Sequence, residues 1–337
     1  MRTVTEHLNN ILNTGIDERV APAMVAAMGN ADAASPLYLY SGGTLGKGSS
    51  VPCTTETIFD LASLTKILST TLIASEAISL GKLALDEQPF RQWPGVHIVD
   101  ILQHTSGLPA WVNFYRGAID RHGVVERALA TKLEAPSRAR MVYSDVGFIA
   151  LGHLLETRLK ENLDVIFDDL SRRLYGNSAL GFRTTSRELT SPTGVCEIRR
   201  RQLRGEVNDL NAYAQGGVAA HAGLFGNIHD VIKAARFFLD SYRKPKSMTA
   251  QVLSTFMKTD GVRPIGFDRA ERRGTTEGAL SKLAIGHLGF TGTSLWIDPA
   301  TNAYFVLLTN HLENSPRKNE ITQLRKDFHR AAVKLVK

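Results

Sequence analysis

Residues 58–66, Ile58-Phe59-Asp60-Leu61-Ala62-Ser63-Leu64-Thr65-Lys66, read as a short strand-like segment that runs straight into a helix. Leu64, Ile67, Leu68, Leu72 and Ile78 recur at helical spacing, and Gly81 ends the series. Upstream, a short amphipathic helix over residues 5–12 is followed by strand-like segments at 23–28 and 37–40. Asn30 and Asp32 between them, with Gly42 and Gly43 after them, supply the turns of a hairpin. Downstream, residues 82–210 read as mostly helical, with the best windows at 99–103, 124–132, 146–160 and 165–174. The last part opens on a helix over 229–240. Apolar runs at 283–287, 294–298 and 303–309, separated by Gly289, Gly292, Pro299 and Asn302, then predict an antiparallel meander. An amphipathic helix over 320–336 closes the chain. Strands at both ends with helices between predict an α+β fold. One antiparallel β-sheet flanked by helices would be built from residues 1–81 and 211–337, with residues 82–210 inserted as a mainly helical domain.

The 337 residues are 43% hydrophobic and 22% charged, a globular composition that excludes wholesale disorder. No run approaches the ~18 consecutive apolar residues of a membrane-spanning helix. The first stretch alternates polar and apolar residues and carries Glu6, Asp17 and Glu18, so it does not read as a signal peptide. The expectation is a cytoplasmic protein if the chain is full length, and a periplasmic or extracellular one if it is a processed form. Cys53 and Cys196 are too few for a disulfide scaffold or a thiolate metal site and are expected to be reduced thiols. Lys and Arg number 40 against 33 Asp and Glu, a net +7 that favours anionic partners. The basic residues are scattered, however. Their densest run, Arg199-Arg200-Arg201-Gln202-Leu203-Arg204, has no aromatic interleaving and reads as a solvated face, so nucleic acid is not an expected partner.

Ser63 and Lys66 stand three apart at the start of the helix, so they share a face and the amine can reach the hydroxyl. The positive end of the helix opposes ammonium formation and predicts a lowered pKa for Lys66, making it a base for an otherwise poor nucleophile. The amide of Ser63 is there for a developing oxyanion. Ser-x-x-Lys recurs at Ser79–Lys82, Ser241–Lys244 and Ser315–Lys318, and a serine at a helix start is also an ordinary N-cap. Ser63 differs in its context: a strand-like segment before it, an apolar helix after it, and no charge between it and Lys66. Tyr143-Ser144-Asp145 directly precedes the apolar helix that begins at Val146. Beside a lysine ammonium, Tyr143 is predicted to lose its proton well below ~10 and to act as a general base. The plainer alternative has Asp145 capping the helix and Tyr143 packed in the core.

A third element is Gly286-His287-Leu288-Gly289-Phe290-Thr291-Gly292, whose glycines let a backbone approach a substrate closely. Its spacing is not that of a dinucleotide fingerprint, and Gly46-Lys47 lacks the rest of a phosphate loop. With neither HExxH nor a Cys/His cluster, no metal site is predicted. His104 and His221, each in a small-residue turn, read as buried loop histidines bonded to the backbone.

Five segments carry a resemblance in this order: Phe59-Asp60-Leu61-Ala62-Ser63-Leu64-Thr65-Lys66, Asp100-Ile101-Leu102-Gln103-His104-Thr105-Ser106-Gly107-Leu108-Pro109, Tyr143-Ser144-Asp145-Val146-Gly147-Phe148, Gly216-Gly217-Val218-Ala219-Ala220-His221-Ala222-Gly223-Leu224-Phe225, and His287-Leu288-Gly289-Phe290-Thr291-Gly292-Thr293-Ser294-Leu295-Trp296-Ile297-Asp298-Pro299. Together they resemble the serine β-lactamase and penicillin-binding-protein superfamily, nearest its class C-like branch with the related esterases and muramoyl-peptide amidases. The resemblance implies a β-lactamase/transpeptidase-like fold and a serine hydrolase that forms an acyl-enzyme. Ser63 would be the nucleophile, Lys66 its proton partner, and Tyr143 the shuttle to the leaving group. The amides of Ser63 and Phe290 would form the oxyanion hole.

Asp145 falls where the family often has Asn, and its charge would favour protonated Lys66 and shift the base role toward Tyr143. His287-Leu288-Gly289 occupies the Lys-Thr-Gly strand. Leu288 removes a hydroxyl that holds a substrate carboxylate, a loss of ~1.5–3 kcal/mol that Thr291 or Thr293 would have to offset. Asn208 stands where close relatives commonly carry His. The implied partner is a small-molecule or peptide substrate, with peptidoglycan-derived muropeptides as the preferred class and no cofactor. A small-ester esterase or weak β-lactamase is the next reading, and a catalytically degenerate ligand-binding protein is the rival from another class.

Overall fold

In the computed structural model, residues 2–117, 120–176, 179–270, 274–314 and 318–336 are described. Helix α1 (Arg2–Asp17) leads through strands β1 (Ala23–Asn30), β2 (Tyr38–Gly43) and β3 (Phe59–Asp60) into a π-helical turn (Lys66–Thr70) continued by α2 (Thr71–Ser79). Helices α3 (Ile98–Leu102), α4 (Arg121–Leu129), α5 (Asp145–Leu159) and α6 (Leu163–Tyr175) come next. The short strands β4 (Val195–Cys196) and β5 (Arg201–Gln202) precede α7 (Leu210–Ala214) and β6 (Phe225–Gly226). Then α8 (Ile228–Arg243), α9 (Met248–Lys258), β7 (Asp268–Arg269), β8 (Ile285–Leu288), β9 (Ser294–Asp298), β10 (Ala303–Thr309) and α10 (Lys318–Ala332) complete the chain.

Among the described residues one antiparallel sheet takes six strands in the order β2-β1-β10-β9-β8-β7. The predicted hairpin forms, with Met28 opposite Tyr38, and the predicted meander forms as β8-β9-β10. β1 joins the two ends of the chain by pairing Met24 with Thr309. Strand alternation then sends Val25, Ala27, Val306 and Leu308 to one face, into a core shared with α2, α5, α8 and α9. Met24, Ala26, Phe305 and Leu307 point the other way, into a second core closed by α1 and α10. Because both faces are covered, β1 and β10 are apolar nearly throughout rather than alternating, and every residue of β9 is buried.

The structure departs from the sequence reading in several places, among them the β4–β5 hairpin within the stretch read as mostly helical. α1 runs well beyond residues 5–12 in both directions, its Leu8 and Leu12 buried beneath the sheet. α9 is a helix the pattern did not single out; Ser247 caps it by accepting from Ala250 N–H at 3.1 Å, while Leu253, Phe256 and Met257 bury. The helix after Ser63 opens with a π turn rather than regular α geometry, a local widening that often accompanies functional positions. Cys53 and Cys196 are unbridged.

Phe305 is fully buried in the core beneath α1 and α10. Phe305→Ala is expected to lower unfolding free energy by about 3–5 kcal/mol. Urea unfolding would report the loss as a lower midpoint at unchanged slope.

Candidate active site

Ser63 is presented by a loop folded back on β6. β3 pairs with β6, Phe59 opposite Gly226, which sets residues 60–65 against 220–224. Leu61 N–H donates to Leu224 O at 2.9 Å, and Leu224 N–H donates to the Thr65 hydroxyl at 3.1 Å. Asp60 braces the turn by accepting from Ala62 N–H at 2.9 Å and from Asn208 N–H at 2.7 Å; burial pushes its carboxyl up to about 6. Ala62 is held at φ +48°, a left-handed conformation that costs an L-residue about 1–2 kcal/mol. Strain of this kind persists where the surroundings over-determine it. Asn208 keeps its side chain on Thr193, with Nδ2 3.3 Å from the hydroxyl, which gives this departure from the family pattern a local structural role.

The hydroxyl of Ser63 accepts from Lys66 Nζ at 3.1 Å, the i,i+3 reach expected from the spacing. Lys66 is fully buried, and remote stretches of chain supply the rest of its partners. Its ammonium lies 2.7 Å from Asp145 Oδ1 and donates to the main-chain carbonyl of His221 at 2.8 Å. The Tyr143 ring centroid lies 4.9 Å from Nζ, close enough for the ammonium and the phenol to act on each other electrostatically. The structure therefore brings Ser63, Lys66, Tyr143 and Asp145 together.

The expected lowering of the Lys66 and Tyr143 pKa values is overturned, while the ammonium that the charge of Asp145 implied is kept. Burial favours the neutral amine, but the Asp145 carboxylate and the Tyr143 oxygen outweigh it and raise the Lys66 pKa above the ordinary lysine value. The helix dipole that predicted a lowered value is weaker than a carboxylate in contact. Burial likewise raises the Tyr143 phenol above its ordinary value, with Lys66 only partly opposing. The resting site is an ammonium beside a phenol, not an amine beside a phenolate.

Tyr143 owes its position to His104. The backbone of His104 sits at φ +58°, its carbonyl accepts from Val142 N–H at 2.9 Å, and its Nδ1 accepts from Ser144 N–H at 2.9 Å. Its ring lies between Tyr143 and Phe148, with centroids at 4.5 and 5.0 Å. Gly107 makes that segment possible: it sits at φ +80°, and a Cβ there would meet Ala135 O at 2.0 Å. The cap of α5 is Ser144, whose hydroxyl accepts from Gly147 N–H at 3.2 Å, so Asp145 is not the cap and is released to pair with Lys66. His221 corrects another expectation. Its Nε2 contacts Asp209 Oδ1 at 2.8 Å, a side-chain rather than a backbone partner. Burial alone would raise the Asp209 carboxyl, but His221 and the α7 amide of Ala212 hold it below the usual range.

The end of β8 forms the facing wall. His287 is buried with its ring centroid 5.6 Å from Tyr143, and Leu288 is half-buried. At Gly289 a Cβ would meet Leu61 O at 2.7 Å, so the strand presses directly on the Ser63 segment. Thr291 and Thr293 do not replace the missing hydroxyl at Leu288. Both are fully buried, and they donate to Asp60 O at 2.7 Å and Leu61 O at 3.2 Å, strapping the wall to the loop that carries Ser63. Among the described residues, neither Ser63 N–H nor Phe290 N–H meets an acceptor. A cavity of about 960 Å³ opens here, lined by Ser63, Tyr143, Asp145 and His287 and rimmed by exposed Trp111, Val195 and Phe290. Of the other Ser-x-x-Lys occurrences, Ser79 donates to Glu76 O within its helix at 2.8 Å, Ser241 is buried in α8, and Ser315 lies outside the described residues.

Sequence reasoning missed two contributors. Asp209, the partner of His221, follows Asn208 and carries no local signal. Arg325, also on the cavity wall, had one: it falls on the apolar stripe of α10 with Ile321, Leu324 and Phe328, where a cation is out of place.

Residues 10–329 match the family described as Beta-lactamase. The chain is 32% identical over 301 aligned positions to the N-acetylmuramyl-L-alanine amidase of Bacillus subtilis (strain 168), spanning 76% of this chain and 68% of that protein. Its fold is similar to that of EstCE1, a hydrolase with promiscuous acyltransferase activity (TM-score 0.74, 18% identity, covering 97% of this chain and 99% of that one). It is also similar to a class C beta lactamase from Rhodobacter sphaeroides (TM-score 0.70, 17% identity, covering 96% and 98%).

Asp145 raises both Lys66 and Tyr143, so Asp145→Asn is expected to lower the pKa of each. Carbon-13 NMR of lysines labelled at Cε would show Lys66 titrating at lower pH in the variant. An unmoved titration would contradict the assigned electrostatics.

Proposed function

The chain belongs to the beta-lactamase family, and from that premise we propose that it is a serine hydrolase acylated on Ser63, cleaving an amide or ester in peptidoglycan-derived peptides. The observation that carries the reading is the convergence of Ser63, Tyr143 and Asp145 on one cavity wall around the buried Lys66 amine.

The resting ammonium–phenol pair must first release one proton to solvent. The remaining Lys66–Tyr143 pair then takes the Ser63 proton while Oγ bonds to the substrate carbonyl carbon. The amides of Ser63 and Phe290, both unspent, receive the oxyanion. Collapse breaks the bond to the leaving group, which accepts the stored proton through Tyr143. Water then repeats the sequence against the ester and frees Ser63.

Two features support the substrate class. The amidase of Bacillus subtilis is a relative at 32% identity. The wide cavity with an aromatic rim at Trp111 and Phe290 suits a large, partly apolar acyl donor. Leu288, with Thr291 and Thr293 both engaged elsewhere, disfavours substrates whose recognition depends on a carboxylate beside the scissile bond, β-lactams among them. The same apolar wall favours small esters as the second reading.

Intact-mass spectrometry after exposure to a fluorophosphonate is expected to show one adduct, absent in Ser63→Ala. No adduct with any acylating probe would favour a ligand-binding protein instead. Tyr143→Phe is expected to lower kcat by about 10²–10⁴-fold. Because the reactive form lacks one proton and both pKa values are raised, kcat/KM should climb with pH through and above neutrality. Asp145→Asn, which lowers both, should move that rise toward acid. A rise that stays in place or moves toward alkali would overturn the proton assignment.

A further inference from the structure

Gly289 and Phe290 share one peptide unit. Its carbonyl oxygen accepts from Gly292 N–H at 3.1 Å and from Arg325 Nη2 at 3.0 Å. The same guanidinium nitrogen donates to Thr293 O at 2.8 Å. Arg325 reaches this point from α10 and is 6% exposed. Among the described residues no carboxylate pairs with it, and burial pushes its pKa down to about 10. The next carbonyl, that of Phe290, accepts from His311 Nε2 at 2.7 Å, so both peptides flanking the Phe290 α-carbon are anchored.

A trans peptide is planar, with its C=O and N–H pointing in opposite directions, so fixing the oxygen fixes the hydrogen. A cationic donor on that oxygen also draws electron density along the amide and strengthens the N–H at its other end. In a buried setting the charge is poorly screened. We propose that Arg325 is a positioning residue for the oxyanion site. Its guanidinium holds the Gly289–Phe290 peptide so that Phe290 N–H faces the cavity, and polarises that peptide so that the N–H binds developing negative charge more strongly than it binds a neutral carbonyl. The inference rests on the acyl-enzyme reading above, since only that reading generates an oxyanion here. It explains why a buried cation with no acid partner is kept on the cavity wall. A neutral donor would orient the peptide but would not polarise it to the same degree.

Two measurements on the full chain test it: the Kd for phenylboronic acid, which forms a tetrahedral anionic adduct on an active serine, and kcat and KM for p-nitrophenyl acetate. Arg325→Met is expected to weaken boronate binding by about ten- to hundredfold and to lower kcat by a similar factor, with KM changed by less than about threefold. Arg325→Lys should recover part of both losses. A purely structural role predicts a smaller active fraction on burst titration, with boronate affinity and kcat per active site unchanged, and that result overturns the proposal. Should Arg325→Met fail to fold, Arg325→Gln, which keeps a neutral donor in place of the cation, decides alone. Boronate binding weakened by more than about threefold at unchanged KM supports the proposal, and wild-type affinity overturns it. Failure of the underlying reading looks different, because the wild type and Ser63→Ala would then bind boronate equally.

Discussion

A lysine ammonium cannot be left alone in a protein interior. Lys66 is fully buried, and an unpaired charge at that depth would cost several kcal/mol. Its partners come from the Ser63 turn, the Tyr143–Asp145 segment and the His221 loop, so satisfying one side chain pins three remote stretches of chain to a single point. The secondary supports have the same logic. His104 fixes the Tyr143 backbone, Asp60 braces the Ser63 turn, and Thr291 and Thr293 tie the β8 wall to that turn. Most of the polar groups around the cavity are committed to one another. The two amides of Ser63 and Phe290 meet no acceptor among the described residues.

Local pattern was a good guide where local physics dominates. β9 and β10 begin and end where the apolar runs do, because Pro299 and Asn302 supply the turn between them and both faces of the sheet are covered. The hairpin of β1 and β2 and the main helices of residues 82–210 were legible for the same reason. α9 was not, since its apolar residues acquire a direction only once α2 and α8 are in place. The Ser63–Lys66 contact followed from helix spacing alone, whereas the charge state of Lys66 did not. A local dipole argued for a lowered pKa; the opposing pull of Asp145, distant in sequence, was legible only through the resemblance, and it sets the sign. The His221–Asp209 contact and the commitment of Thr291 and Thr293 were out of reach of pattern for the same reason: each depends on a neighbour that only the fold supplies.

The departures from the family pattern divide into two kinds. Asp145 alters the electrostatics of the site while leaving its geometry intact, since it sits in the first turn of α5 in contact with Lys66. Leu288 alters what the wall offers a ligand, and no nearby hydroxyl restores the loss. The first bears on when the site is protonated and the second on what it accepts, so the two are separable in experiment.

The pairing of β1 with β10 sets an order of events during synthesis. On the edge turned away from β2, Met24 finds its partner in Thr309, so a chain emerging from the ribosome carries β1 with one open edge until residue 309 has been made. Contacts of such long range form late because the intervening loop must first be closed. Until β10 arrives the apolar β1 edge is a sticky surface in need of shelter. A stalled or truncated chain that ends before residue 303 would keep the Ser63 segment but lack β10 at the centre of the sheet, making it a substrate for chaperones and proteases rather than a smaller folded protein.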